Sequence, residues 1–105
     1  MTETPIVLSV VVEAVSGREE ELGSLLLGLV SPTRAEAGCL NYELNTSQEK
    51  SGVFLFYEKF VDQKALDAHV GSTHFQNFLK QREGNDPIAN QTVMRWSALG
   101  LPSKV

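Results

Sequence analysis

The chain of 105 residues is one domain's worth of protein, and residues 1–105 are read as a single unit. Hydrophobic residues at 42% and charged residues at 21% match ordinary globular domains and exclude intrinsic disorder. Nine Lys+Arg against thirteen Asp+Glu give a net charge of -4, the wrong sign for neutralising phosphates, so nucleic acid and membrane are not expected partners. The longest apolar stretch, Leu25-Leu26-Leu27-Gly28-Leu29-Val30, is far short of the ~20 residues that span a bilayer. The first residues read as the approach to a strand, not as a secretory leader, and the single Cys39 has no internal disulfide partner. A cytoplasmic chain stabilised by packing, in part against a second chain, is the expectation.

Pro5 to Glu13 is β-branched and apolar at nearly every position, which predicts a strand covered on both faces. Ser16 and Glu19 are spaced as a capping box, predicting a helix that starts there. Its apolar face is Leu22, Leu25, Leu26 and Leu29, and Pro32 is expected to kink it near its end. Cys39 to Asn45 alternates as a second strand, with Leu40, Tyr42 and Leu44 on one side. A polar loop ending in Gly52 leads to a third strand, Val53 to Phe60, whose faces are Val53, Leu55, Tyr57, Lys59 and Phe54, Phe56, Glu58, Phe60. Asp62 is placed to cap a helix with Ala65, Leu66, His69 and Val70 on its apolar face. Ser72 restarts a helix carrying Phe75, Phe78 and Leu79, residues 81–90 read as a loop, and Gln91 to Leu99 is the last strand.

The order is β-α-β-β-α-β, which predicts an α+β ferredoxin-like fold: helices on one face of a four-stranded antiparallel sheet. Helices cover one sheet face, yet the strands are apolar on both, so a homodimer packed sheet on sheet is expected.

Phosphate-binding loops, dinucleotide fingerprints, Cys-x-x-Cys and the nucleophile elbow are all missing from the sequence. His69 and His74, five apart on an interrupted helix, are not spaced as ligands on one helical face, so no dedicated metal site is expected. Glu58 falls in an aromatic row that faces the helices, where a carboxylate is costly unless paired. His69, on the apolar face of the helix behind that strand, is the economical partner. Such a pair either orients a general base or is purely structural, and spacing is compatible with both. His74 reads as a solvent-facing side chain, Cys39 as a small hydrophobe, and Phe54, Phe56, Phe60, Phe75, Phe78 and Trp96 as core that would also wall a flat aromatic ligand.

Several stretches together resemble the antibiotic biosynthesis monooxygenase family, its quinol-monooxygenase-like members included. They are Pro32-Thr33-Arg34-Ala35-Glu36-Ala37-Gly38-Cys39-Leu40-Asn41-Tyr42-Glu43, Tyr57-Glu58-Lys59-Phe60, Ala65-Leu66-Asp67-Ala68-His69 and Ser72-Thr73-His74-Phe75. The resemblance runs from about Val7 to Trp96 and implies a dimeric α+β barrel. It implies a cofactor-independent monooxygenase acting on a small phenolic or quinol-type aromatic with O2, needing no metal, flavin or haem. An isomerase of a small phosphorylated signalling metabolite, or a non-catalytic small-molecule-binding dimer, are the alternatives on the same scaffold. Glu58 and His69 match the family's recurrent Glu and His and are the candidate catalytic pair. Asn41, Tyr42, Tyr57 and Arg95 are candidate oxyanion donors, and Phe54, Phe56, Phe60, His74, Phe78 and Trp96 complete the candidate substrate-binding set. Phe60 stands where the family often has Trp. The haem-degrading branch would be expected to show an Asn on the first strand and a Trp and an axial His after the third strand, roughly where Val10, His69 and Leu79 stand, and is not matched.

Overall fold

The computed structural model describes residues 4–100. The chain runs β1 (Ile6–Ala14), α1 (Glu19–Leu27), α2 (Val30–Arg34), β2 (Cys39–Thr46), β3 (Val53–Phe60), α3 (Gln63–Val70), α4 (Thr73–Arg82) and β4 (Ile88–Trp96). The strands form one four-stranded antiparallel sheet in the order β2-β3-β1-β4, with β1 central between β3 and β4. That is the ferredoxin-like arrangement.

Alternation along the strands sorts the two faces. Leu8 and Val12 of β1, Phe56, Glu58 and Phe60 of β3 and Tyr42 of β2 are buried beneath the helices, together with Leu22 and Leu26 of α1 and Leu66 and His69 of α3. Val11, Leu55, Tyr57, Met94 and Trp96 are exposed. The cross-strand pairs Val11 with Leu55, Ser9 with Tyr57, Ser9 with Met94 and Val7 with Trp96 place them together on the opposite face.

Local structure departs from the sequence-based expectations at several points. Ser16 does not cap α1: Gly17 takes φ +89, Arg18 precedes the helix without a side-chain cap, and Gly17 N–H donates to Glu19 Oε2 at 3.2 Å. The expected single helix is two, separated at Gly28-Leu29, so Pro32 lies in the first turn of α2. A first-turn residue has no intrahelical acceptor for its N–H, so proline causes no kink there. In β2 the register shifts between Cys39 and Asn41, which turns Leu40 out to 53% exposure instead of inward beside Tyr42. Strand β4 begins at Ile88, not Gln91, because Asp86 Oδ1 accepts the Ile88 N–H at 2.9 Å and Ile88 pairs with Ala14 across a register shift in β1. Asp62 caps α3 as expected, accepting from Ala65 N at 2.8 Å, and Ser72, where the helix restarts, caps α4 by accepting from Phe75 N at 3.3 Å.

Candidate active site

Between the sheet and the helices lies a cavity of about 240 Å³. Leu8, Val10 and Val12 form its sheet side, Leu26 and Leu29 close one flank, and Phe75, Phe78 and Leu79 of α4 close another. Its walls are apolar except for Tyr42, Glu58, His69, Arg82 and Gln91.

His69 is 2% exposed and ringed by aromatics, with centroids at 5.4 Å to Tyr42, 5.2 Å to Phe60 and 5.0 Å to Phe75. The register of α3, fixed by the Asp62 cap, turns this ring into the cavity. Its Nδ1 lies 3.0 Å from Glu36 Oε2, in the segment joining α2 to β2. His74 Nε2 meets the same oxygen at 2.6 Å and the Ser72 hydroxyl at 3.1 Å. The expected Glu58–His69 hydrogen bond is not formed: the imidazole is held by Glu36. Two facts explain this. Glu58 is fixed on β3 opposite Leu8 and Tyr42, whereas Gly71-Ser72 turns the chain between α3 and α4 and folds His74 back toward His69.

Glu58 is 5% exposed and has no hydrogen-bond partner among the described residues. Burial, reinforced by the charge of Glu36, pushes its carboxyl up to about 7. Burial next to Glu58 likewise pushes the Tyr42 phenol up, keeping it a neutral donor. The polar side-chain atoms that are both sealed and unpartnered among the described residues are Thr33 Oγ1 and Glu36 Oε1. The unpartnered His69 Nε2 and Glu58 carboxyl are not among them, so both open onto the cavity.

The other sequence candidates are dispersed. Phe56 and Phe78 line the cavity, and Phe60 backs His69 from the core. Phe54 lies on the helix side but beside Gly23, away from the cavity. Tyr57 and Trp96 are on the opposite sheet face, where Trp96 Nε1 donates to Ser9 Oγ at 2.7 Å. The alternation that turns Glu58 inward necessarily turns Tyr57 outward. Asn41 is exposed at the edge strand, and Arg95, paired with Leu8, is exposed and outside the cavity wall. His74 is half-buried instead of solvent-facing, and borders a separate outer groove.

Glu36 carries no role that the sequence alone would assign. Its signal is faint: one carboxylate in a short segment between Pro32 and Gly38, with partners more than thirty positions away. Glu36, His69 and His74 offer three ligand atoms within 4.8 Å of one another, a donor set that zinc uses. Oxygen-to-nitrogen distances of 2.6 and 3.0 Å are shorter than the roughly 3.3 Å edge of a tetrahedral zinc shell. At these distances the three groups are in hydrogen-bond contact.

The sheet order and the helices on one face define a ferredoxin-like α+β domain, with an aromatic-walled cavity between the two layers. Residues 5–81 match the family model described as antibiotic biosynthesis monooxygenase, and the chain belongs to that family. It is similar to PA3566 from Pseudomonas aeruginosa, whose crystal structure shares 33% identity at a TM-score of 0.88, covering 95% of this chain and 99% of that one. Rv0793 of Mycobacterium tuberculosis, provisionally named a monooxygenase, is 40% identical over 60 residues, covering 57% of this chain and 58% of that protein. The solved structure of Rv0793 superposes at a TM-score of 0.83 over 95% of this chain and all of that one, at 28% identity. YcnE of Bacillus subtilis, also provisionally named a monooxygenase, is 32% identical over 70% of this chain and 78% of its own length. No helix among the described residues is long and apolar enough to cross a membrane.

Proposed function

We propose that the chain is a cofactor-independent monooxygenase that oxidises a small phenolic or quinol-type aromatic with O2 in the cavity between sheet and helices. The observation that carries this reading is an aromatic-walled cavity of about 240 Å³ onto which two acid–base groups without a partner there, His69 Nε2 and the Glu58 carboxyl, both open. An apolar cavity of roughly 150 Å³ holds benzene, so the volume suits a substituted ring. His69, oriented by Glu36, takes the proton of a phenolic hydroxyl. The resulting anion is electron-rich enough to reduce O2, and recombination forms the new C–O bond. Loss of water then leaves a quinone with one oxygen atom of O2 in the product and the other in water. A dihydroxybenzene and O2 thus give a hydroxyquinone and water, all electrons coming from the substrate. Glu58, in its neutral form, and Tyr42 supply hydrogen bonds to the oxygens that gain charge, and the aromatic walls exclude water.

A phosphorylated ligand finds little purchase here, because Arg82 among the lining residues is engaged by Asp86 through Nε at 3.1 Å and Nη2 at 3.0 Å. A second copy of the chain is proposed to cover the open sheet face. The test is O2 consumption on a panel of hydroquinones and phenols, with 18O2 and mass spectrometry of the product. One 18O per product, with His69→Ala slower by about two to four powers of ten, is the expected outcome. Uptake no faster than uncatalysed autoxidation, or product free of 18O, rejects the reading.

A further inference from the structure

The cluster that holds His69 also leads outward. Glu36 Oε2 lies 3.0 Å from His69 Nδ1 and 2.6 Å from His74 Nε2. An ionised carboxylate only accepts, so both facing nitrogens carry hydrogen. The Ser72 hydroxyl donates to the His69 carbonyl at 2.6 Å and is therefore an acceptor for His74 Nε2 at 3.1 Å, in agreement with that assignment. His69 Nε2 is then bare toward the cavity. His74 Nδ1 lies on the far side of a ring that borders the outer groove with Ser24, Asn77 and Gln81. The two sides of the helix layer are joined through one oxygen.

That single carboxylate stands between two imidazoles whose centroids are 6.1 Å apart. It offsets one positive ring, while a second would meet an uncompensated like charge. The groups facing the cluster do not relieve this: burial holds Glu58 of β3 toward its neutral form, Tyr42 of β2, its ring 5.4 Å from that of His69, is a neutral phenol, and Arg82 of α4 is held by Asp86. Resting on the reading of His69 as the base, we propose that His74 is its proton-exit partner, the two rings sharing Glu36 so that a proton reaching His69 Nε2 releases one from His74 Nδ1 to the outer groove. His74, the more solvated of the two rings, is the one that exchanges its proton with water. When substrate binds, its O–H bond breaks, an N–H bond forms at His69 Nε2, and the N–H bond at His74 Nδ1 breaks to water. No electron moves, and the cluster's charge is unchanged. When His69 gives its proton to the water formed from O2, His74 regains one from solvent. Glu36 is a positioning residue, and His74 carries the proton between cluster and solvent.

Nitrogen-15 NMR of the full chain labelled in histidine tests the resting state without any substrate. At neutral pH, His69 is expected as the single Nδ1–H tautomer and His74 with hydrogen on both nitrogens; Glu36→Gln should leave His69 a tautomer mixture. His69 carrying hydrogen on Nε2 would overturn the proposal even if no variant folds. With an oxidisable hydroquinone, His74→Asn keeps a donor toward Glu36 but cannot shuttle. It should lose about ten- to a hundred-fold in kcat at low buffer concentration, with KM unchanged and kcat restored by added imidazole. An active wild type whose His74→Asn variant is equally fast, or is slow without imidazole rescue, overturns the relay. The expected wild-type spectrum in a protein that consumes no O2 rejects the oxygenase reading instead.

Discussion

Glu58 carries its carboxyl on the helix-facing side of β3, 5% exposed and without a donor, so ionising it there means leaving a buried charge beside that of Glu36. Its titration is displaced from 4.5 to about 7, so between these values the folded chain holds a proton that the unfolded chain has released. The stabilisation is complete below about pH 4.5 and is lost as pH rises through 7. At 1.36 kcal/mol per unit the difference is on the order of 3 kcal/mol. Glu58→Gln should match wild type in urea unfolding at pH 4.5 and exceed it by up to about 3 kcal/mol at pH 8. An equal difference at both pH values would show that the carboxyl does not titrate differently on folding. Sequence pattern was enough to mark Glu58 and His69 as buried polar residues, since each interrupts an apolar face of known period. It was not enough to pair them. Pairing depends on where a segment near residue 36 lands against a helix near residue 69, and no local period carries that distance.

At the scale of elements, local pattern was legible where it runs unbroken and failed where a break or a bulge interrupts it, as at Leu40 in β2 and at the start of β4. β3 follows from alternation alone, whereas the first helix reads through Gly28 because its leucine spacing continues past the break. The structure breaks there and gives Pro32 a first-turn position. The segment that follows is constrained tightly at Gly38, whose carbonyl accepts from Val61 N at 2.9 Å. A Cβ at Gly38 would collide with the Ala65 side chain at the start of α3. Gly38→Ala should therefore cost roughly 1–3 kcal/mol by overpacking. Because Gly38 lies two residues from Glu36 and its new methyl would press on α3, the same variant should also weaken the His69–Glu36 contact. Thermal unfolding checks the first effect, and the His69 nitrogen-15 shifts check the second. Asp62→Ala removes the α3 cap and should cost about 1 kcal/mol. A variant as stable as wild type would mean that packing of Leu66 and His69, not the cap, sets the start of α3.

For the whole molecule the decisive asymmetry is that helices cover one sheet face while the other shows apolar side chains from three strands. Leu55 at 36% and Trp96 at 47% exposure stand in one patch with Val11, Tyr57 and Met94. This was legible in the sequence as strands apolar on both sides, because a strand facing water on one side would alternate more strictly. A patch of this kind on a small domain marks an interaction surface, and a second copy of the same face brings matching apolar rows together around a two-fold axis. The chain is therefore expected to sediment at twice its 11.5 kDa at micromolar concentration. Leu55→Arg places a charge at the centre of that face while leaving the buried core and the cavity walls untouched. It should shift sedimentation to the 11.5 kDa monomer with the far-ultraviolet circular dichroism retained. Loss of dimer with loss of fold would show that the monomer is not stable alone, as many obligate dimers are not. A wild type that sediments as a monomer at every concentration would remove the dimer proposal and leave the patch to a different partner.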